Sequence, residues 1–93
     1  MPTIDLAQAW ALDDHVQLRH EPFGALAYHF GTRRLSFLKS PTLLRVVQNL
    51  ENHPTAADAC RAEGVTDAEL PRYVQALSNL AETQMIVERK DSK

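Results

Sequence analysis

The periodicity of this chain changes once, at Ser40-Pro41, and that change restricts the fold more than any other feature. Upstream the residues alternate. Val16, Leu18 and His20 oppose Gln17, Arg19 and Glu21; Leu26, Tyr28 and Phe30 oppose Ala25, Ala27 and His29; Leu35 and Phe37 form the apolar face of Arg34 to Leu38. A period of two belongs to half-buried strands. Glu21-Pro22-Phe23-Gly24 and Gly31-Thr32 supply turns, so the three strands should form an antiparallel meander. Downstream, Ser40 can cap a helix with Pro41 at its first position, and Leu43, Leu44, Val46, Val47 and Leu50 recur at helical spacing up to His53-Pro54. A second helix should start at Thr55 and stop at Gly64. Thr66-Asp67-Ala68-Glu69 has the spacing of a capping box for a third, carrying Leu70, Tyr73, Val74, Leu77, Leu80 and Ala81, with Pro71 making its first turn irregular. Met85-Ile86-Val87 could pair as a short strand or cover the core. Strands first and helices after predict an α+β fold, a three-stranded antiparallel sheet followed by three helices.

A length of 93 residues allows one core, burying roughly 60% of the unfolded surface. The expected organisation is an N-terminal arm over 1–12, where periodicity is weak, a single domain over 13–89, and a frayed polar tail over 90–93. No apolar run approaches the roughly 20 residues that span a bilayer. The start has no basic and apolar signal pattern. The single cysteine, Cys60, can form no internal disulfide, which fits a reducing cytoplasm. Neither secretion nor membrane insertion is expected.

Catalytic apparatus is not evident. His15, His20, His29 and His53 lack metal-site spacing, and no metal or other cofactor is expected. Cys60 falls on an alanine-rich helix with no activating base nearby. Asp13 and Asp14 read as solvated turn residues, and the three glycines are isolated at turns rather than grouped around a phosphate. An enzyme is not expected.

Charge is distributed more unevenly than the net value of −2 suggests. Between Pro22 and Leu50 there are no acids, whereas Arg33, Arg34, Lys39 and Arg45 are basic; all twelve Asp and Glu lie outside. The strand carrying Arg33 and Arg34 comes last in the meander, so it can be an open edge. Such an edge is guarded against self-association by charge and can accept an added peptide strand. It would also allow weak pairing of two copies. A nucleic-acid-binding winged helix is the alternative reading, but the third helix region has Asp67, Glu69 and Glu82 against Arg72 alone, a poor match for phosphates.

The order Trp10, His15-Val-Gln-Leu-Arg, Glu21-Pro-Phe-Gly-Ala, Tyr28-His-Phe-Gly-Thr-Arg-Arg-Leu-Ser-Phe-Leu-Lys-Ser-Pro and Glu69-Leu-Pro-Arg-Tyr resembles the PqqD-like recognition elements of ribosomally made, modified peptides, specifically the mycofactocin precursor-peptide chaperones. The resemblance runs from Trp10 to Val87, with Tyr28 to Pro41 its most specific part. It implies a winged-helix-like domain that binds the leader of a precursor peptide and presents it to a radical S-adenosylmethionine maturase. It further implies that the leader adds beside the third strand, at Arg33, Arg34, Leu35, Ser36, Phe37 and Leu38. The facing helix wall would be Tyr73, Ala76, Leu77 and Leu80. The chemistry would belong to the maturase, whose iron–sulfur clusters need cysteines this chain lacks. Alternate leader side chains would enter an apolar groove beside Leu35 and Phe37, and the arginines would favour acidic leader residues.

Overall fold

The computed structural model describes residues 4–89. Its elements, in chain order, are strands β1 (Trp10–Leu12), β2 (Val16–Glu21), β3 (Gly24–His29) and β4 (Leu35–Leu38), helix α1 (Pro41–Asn49) with a 3-10 turn at Leu50–Asn52, helices α2 (Ala56–Ala62) and α3 (Leu70–Glu82), and strand β5 (Ile86–Glu88). β2, β3 and β4 form the expected antiparallel meander in that order, and the three helices follow it.

The meander's inner face is its small-residue face. Ala25, Ala27 and His29 of β3 are buried, as is Leu38 of β4, while Leu26 and Tyr28 are only half-buried on the other side. Small side chains let α1 approach closely, so Leu43, Leu44, Val46 and Val47 pack beneath the sheet with Leu50, Leu77, Met85 and Ile86. Gly24 is required by its backbone, and Gly31 by a neighbouring ring. Gly24 has φ +148, and a Cβ there would lie 2.1 Å from the Leu38 carbonyl oxygen. Gly31 sits over the His29 ring, where a Cβ would approach Cε1 to 2.9 Å. The left-handed residue of the β3–β4 turn is Arg33, with φ 63, rather than the glycine of the expected Gly31-Thr32 turn.

The helix starts follow their sequence signals. Ser40 Oγ accepts the Leu43 N–H at 3.0 Å, Pro41 opens α1, and Thr55 Oγ1 accepts the Asp58 N–H. At Thr66 the box closes in one direction: the Thr66 N–H donates to Glu69 Oε1 at 3.0 Å, and regular helix begins only at Leu70, ahead of Pro71.

The stretch expected as an N-terminal arm over 1–12 contains regular structure. Trp10–Leu12 is a strand, paired antiparallel with β5, in the register Trp10 to Glu88 and Leu12 to Ile86. Before it, the Leu6 and Gln8 carbonyls accept the Ala57 and Ala56 N–H groups at the start of α2, satisfying donors that a helix cannot pair internally. The signal was weak because the stretch is too short to show a period, and its partner lies 78 residues away at the Trp10–Glu88 pair. The tail expected at 90–93 and residues 1–3 lie outside the described residues.

Candidate peptide-binding groove

β4 is bonded on one side only: among the described residues it pairs with β3 and with no other strand. The His29 N–H donates to the Arg34 carbonyl at 3.0 Å, which sets the phase of the ladder. In the register Ala27 to Ser36 and Ala25 to Leu38, alternation then turns the N–H and C=O of Ser36 and Leu38 toward β3. The main-chain groups of Leu35 and Phe37 point to the open edge.

A groove runs between this edge and α3. Its central part, about 330 Å³, is lined by Ser36, Phe37 and Lys39 on the strand side, Leu43 beneath, and Ala76, Asn79, Leu80 and Thr83 on the helix side. One end continues into a space of about 200 Å³ formed by Lys39, Ser40, Leu43, Arg72, Tyr73 and Ala76. Near the other end, Thr32, Arg34, Glu82, Thr83 and Gln84 line about 280 Å³. Ser36 Oγ and Thr83 Oγ1, 3.2 Å apart, tie β4 to the end of α3 at the groove floor. Apart from that hydroxyl pair, Leu43, Ala76 and Leu80 make the groove's lining apolar, which suits an extended chain whose backbone is held at the edge and whose alternate side chains reach inward.

The expected site residues divide among several positions. Ser36, Phe37, Tyr73, Ala76 and Leu80 line the groove, and Arg34 stands at one end. Leu77 does not line it; it is fully buried in the core. Leu38 is also fully buried, inside the sheet. Leu35 and Phe37 are 59% and 58% exposed, so the apolar face expected to meet the groove instead faces outward. There Phe37 packs edge-on against Phe23, with ring centroids 6.2 Å apart. Apolar alternation marks two faces of a strand but not which one a helix covers, and here the small residues of β3 decide it. Arg33 is exposed in the turn before β4. The sequence reading missed Lys39, Leu43, Arg72, Asn79 and Thr83 as lining residues. Lys39 was legible as part of the basic segment and Arg72 as a lone cation of the third helix, but nothing in their spacing shows that the fold brings them to one groove.

Electrostatics separates the basic segment into two groups. Arg45 is spent on Glu63, at 2.8 Å from Nε to Oε1. Arg33, Arg34 and Lys39 have no ion-pair partner among the described residues, and Arg72 has only Glu69 at 3.8 Å. Arg34 therefore stands unneutralised at one end of the groove, and Lys39 with the weakly paired Arg72 at the other.

Asp13, His15 and His29, which the sequence gave no reason to group, place their polar atoms within 4.8 Å of one another. Their hydrogen bonds do not suit a metal. His29 Nδ1 accepts N–H bonds from Gly31 at 2.9 Å and Thr32 at 3.1 Å. That assigns the ring proton to Nε2, which faces Asp13 Oδ1 at 3.5 Å. A protonated nitrogen offers no lone pair to an ion. The same Asp13 oxygen accepts the His15 N–H at 2.7 Å, and this bond holds the Asp13 carboxyl below the usual range. The group fastens the turn that launches β4. Cys60 is buried in α2, where desolvation raises its thiol pKa and disfavours the thiolate.

Comparison with known proteins identifies relatives over most of the chain. The family model described as the peptide chaperone MftB family matches residues 9–87. The peptide chaperone MftB of Mycobacterium ulcerans (strain Agy99) is 54% identical over 83 residues, covering 89% of this chain and 76% of that protein. The peptide chaperone MftB of Mycobacterium tuberculosis (strain ATCC 25618 / H37Rv) is 51% identical over 86 residues, covering 92% and 79%. That of Mycolicibacterium smegmatis is 48% identical over 85 residues, covering 91% and 83%. No solved structure matches the chain.

Proposed function

The chain belongs to the peptide chaperone MftB family, and from that membership we propose that it holds the leader of a ribosomally made precursor peptide as a strand added to β4 and presents it to a radical S-adenosylmethionine maturase. The open edge of β4, lying beside an apolar groove walled by α3, is the observation that carries this reading. The Leu35 and Phe37 N–H and C=O groups bond the leader backbone, each bond adding about 1 kcal/mol net. Inward leader side chains bury against Leu43, Ala76 and Leu80, and register is set by the pleat. The chain is a chaperone and not an enzyme: it orders the peptide, and the maturase does the chemistry. Arg33 and Arg34, on the rim, speed the encounter with an acidic leader and lose influence as salt rises.

Proline substitution along β4 tests the proposal because the ladder phase separates the two directions of the N–H groups. Phe37→Pro removes a donor at the open edge and should leave the domain folded while weakening leader binding about tenfold or more, beyond any loss in a Phe37→Ala control. Ser36→Pro removes a bond to β3 and should destabilise the domain itself. Binding measured by isothermal titration that is the same for Phe37→Pro and Phe37→Ala would rule out strand addition at this edge.

A further inference from the structure

Given the groove as the peptide site, we infer that its Lys39–Arg72 end is a subsite for an acidic side chain of the bound peptide, so that this end sets the peptide's register. The space there is lined by Lys39, Ser40, Arg72 and Tyr73, together with Leu43 and Ala76, which it shares with the central groove. Every polar side chain in that set can donate a hydrogen bond, and none is a carboxylate. Ser40 accepts the Leu43 N–H through Oγ, leaving its own O–H free to donate. Lys39 has no acidic partner among the described residues, and the nearest acid to Arg72 is Glu69, at 3.8 Å and outside the lining. A lining of donors with two cations complements a carboxylate. The opposite end lacks this character, because Glu82 stands there with Arg34.

The strand geometry turns the subsite into a sequence requirement. Inward-facing residues of an added strand recur at every second position, roughly 6–7 Å apart. A leader residue seated over Leu43, Ala76 and Leu80 must be apolar, and the next inward residue toward Lys39 lies between Lys39 and Arg72. The bound segment should therefore contain an apolar residue and an Asp or Glu two positions away. Arg33 and Arg34, although they are the conspicuous basic pair in the sequence, do not form this subsite.

The test uses the full chain and a synthetic leader peptide with acetylated and amidated ends, so that no terminal carboxylate is present. The Lys39→Gln/Arg72→Gln double variant should bind this peptide about five- to tenfold more weakly at low salt, with the difference shrinking as salt is raised. Scanning leader acids to amides should reveal one position whose change produces the same loss with the unmodified chain and no further loss with the double variant. Equal affinity of the two chains for the capped leader would overturn the subsite, as would a charge effect that appears only when the peptide's C-terminus is left free. Phe37→Pro keeps the two failures apart. If it abolishes binding while the double variant does not alter it, only the subsite is wrong; if neither change alters binding, the groove reading is wrong as well.

Discussion

At the scale of single residues, the turn that carries the chain into β4 depends on chemistry that no local pattern announces. His29 was legible as one of three residues on the Ala25 face, but its role required Gly31 above its ring and Asp13 beside it. Arg33 adopts a left-handed backbone that a side chain tolerates at a cost of about 1 kcal/mol. Asp13 links this corner to pH. Its folded pKa lies below the ordinary value because the His15 N–H bonds to its carboxylate. The folded state thus favours the ionised form, and the resulting stability is present above about pH 4 and is lost as pH falls through the folded value. Glu69, lowered by its bond from the Thr66 N–H, acts in the same direction. Urea midpoints should fall between about pH 5 and about pH 3 in the unmodified chain and fall less in Asp13→Asn. An equal fall in both would mean that Asp13 contributes nothing to acid sensitivity.

Among elements, the signals that were readable are those written within a few residues. Ser40-Pro41, Thr55 and Gly64 bound α1 and α2 as their local chemistry requires, and Pro71 delays α3 to Leu70. The pairing of β1 with β5 was not readable, because three-residue strands have too little period and their partnership spans most of the chain. Arg89, just after β5, shows what that pairing secures: its Nη1 and Nη2 donate to the Glu51 carbonyl at 2.9 Å and the His53 carbonyl at 2.6 Å. These close the turn between α1 and α2. Arg89→Ala should cost about 1–3 kcal/mol of stability, since two charge-assisted bonds to main-chain carbonyls are lost. Leader affinity should be unchanged at a temperature where the variant is folded, because Arg89 lines no part of the groove. Thermal unfolding together with titration separates the two effects; a loss of affinity in fully folded Arg89→Ala would show that the β1–β5 side does communicate with the site.

For the whole molecule, one core serves both stability and the site: Leu80 and Leu43 are buried members of it and also the floor of the groove. Peptide binding should therefore stabilise the entire domain rather than a local lid. Cys60, with no exposed surface and a raised thiol pKa, reports on this directly. Its labelling by a thiol reagent should require global opening, and leader at about 100 times Kd should slow it about 100-fold. Labelling that is fast and indifferent to leader would mean that α2 opens by itself. The sequence alone determined the α+β order, the cap residues and, by resemblance, the kind of partner. These depend on local period, on side-chain chemistry at a few positions, and on motif order. Tertiary structure decided which strand face is covered, which cations share a groove, and which amides of β4 remain free. Each of those is set by the packing of distant segments: the small side chains of Ala25 and Ala27 admit α1 to one face of the sheet, and the placement of α3 leaves the outer edge of β4 unpaired beside Lys39 and Arg72.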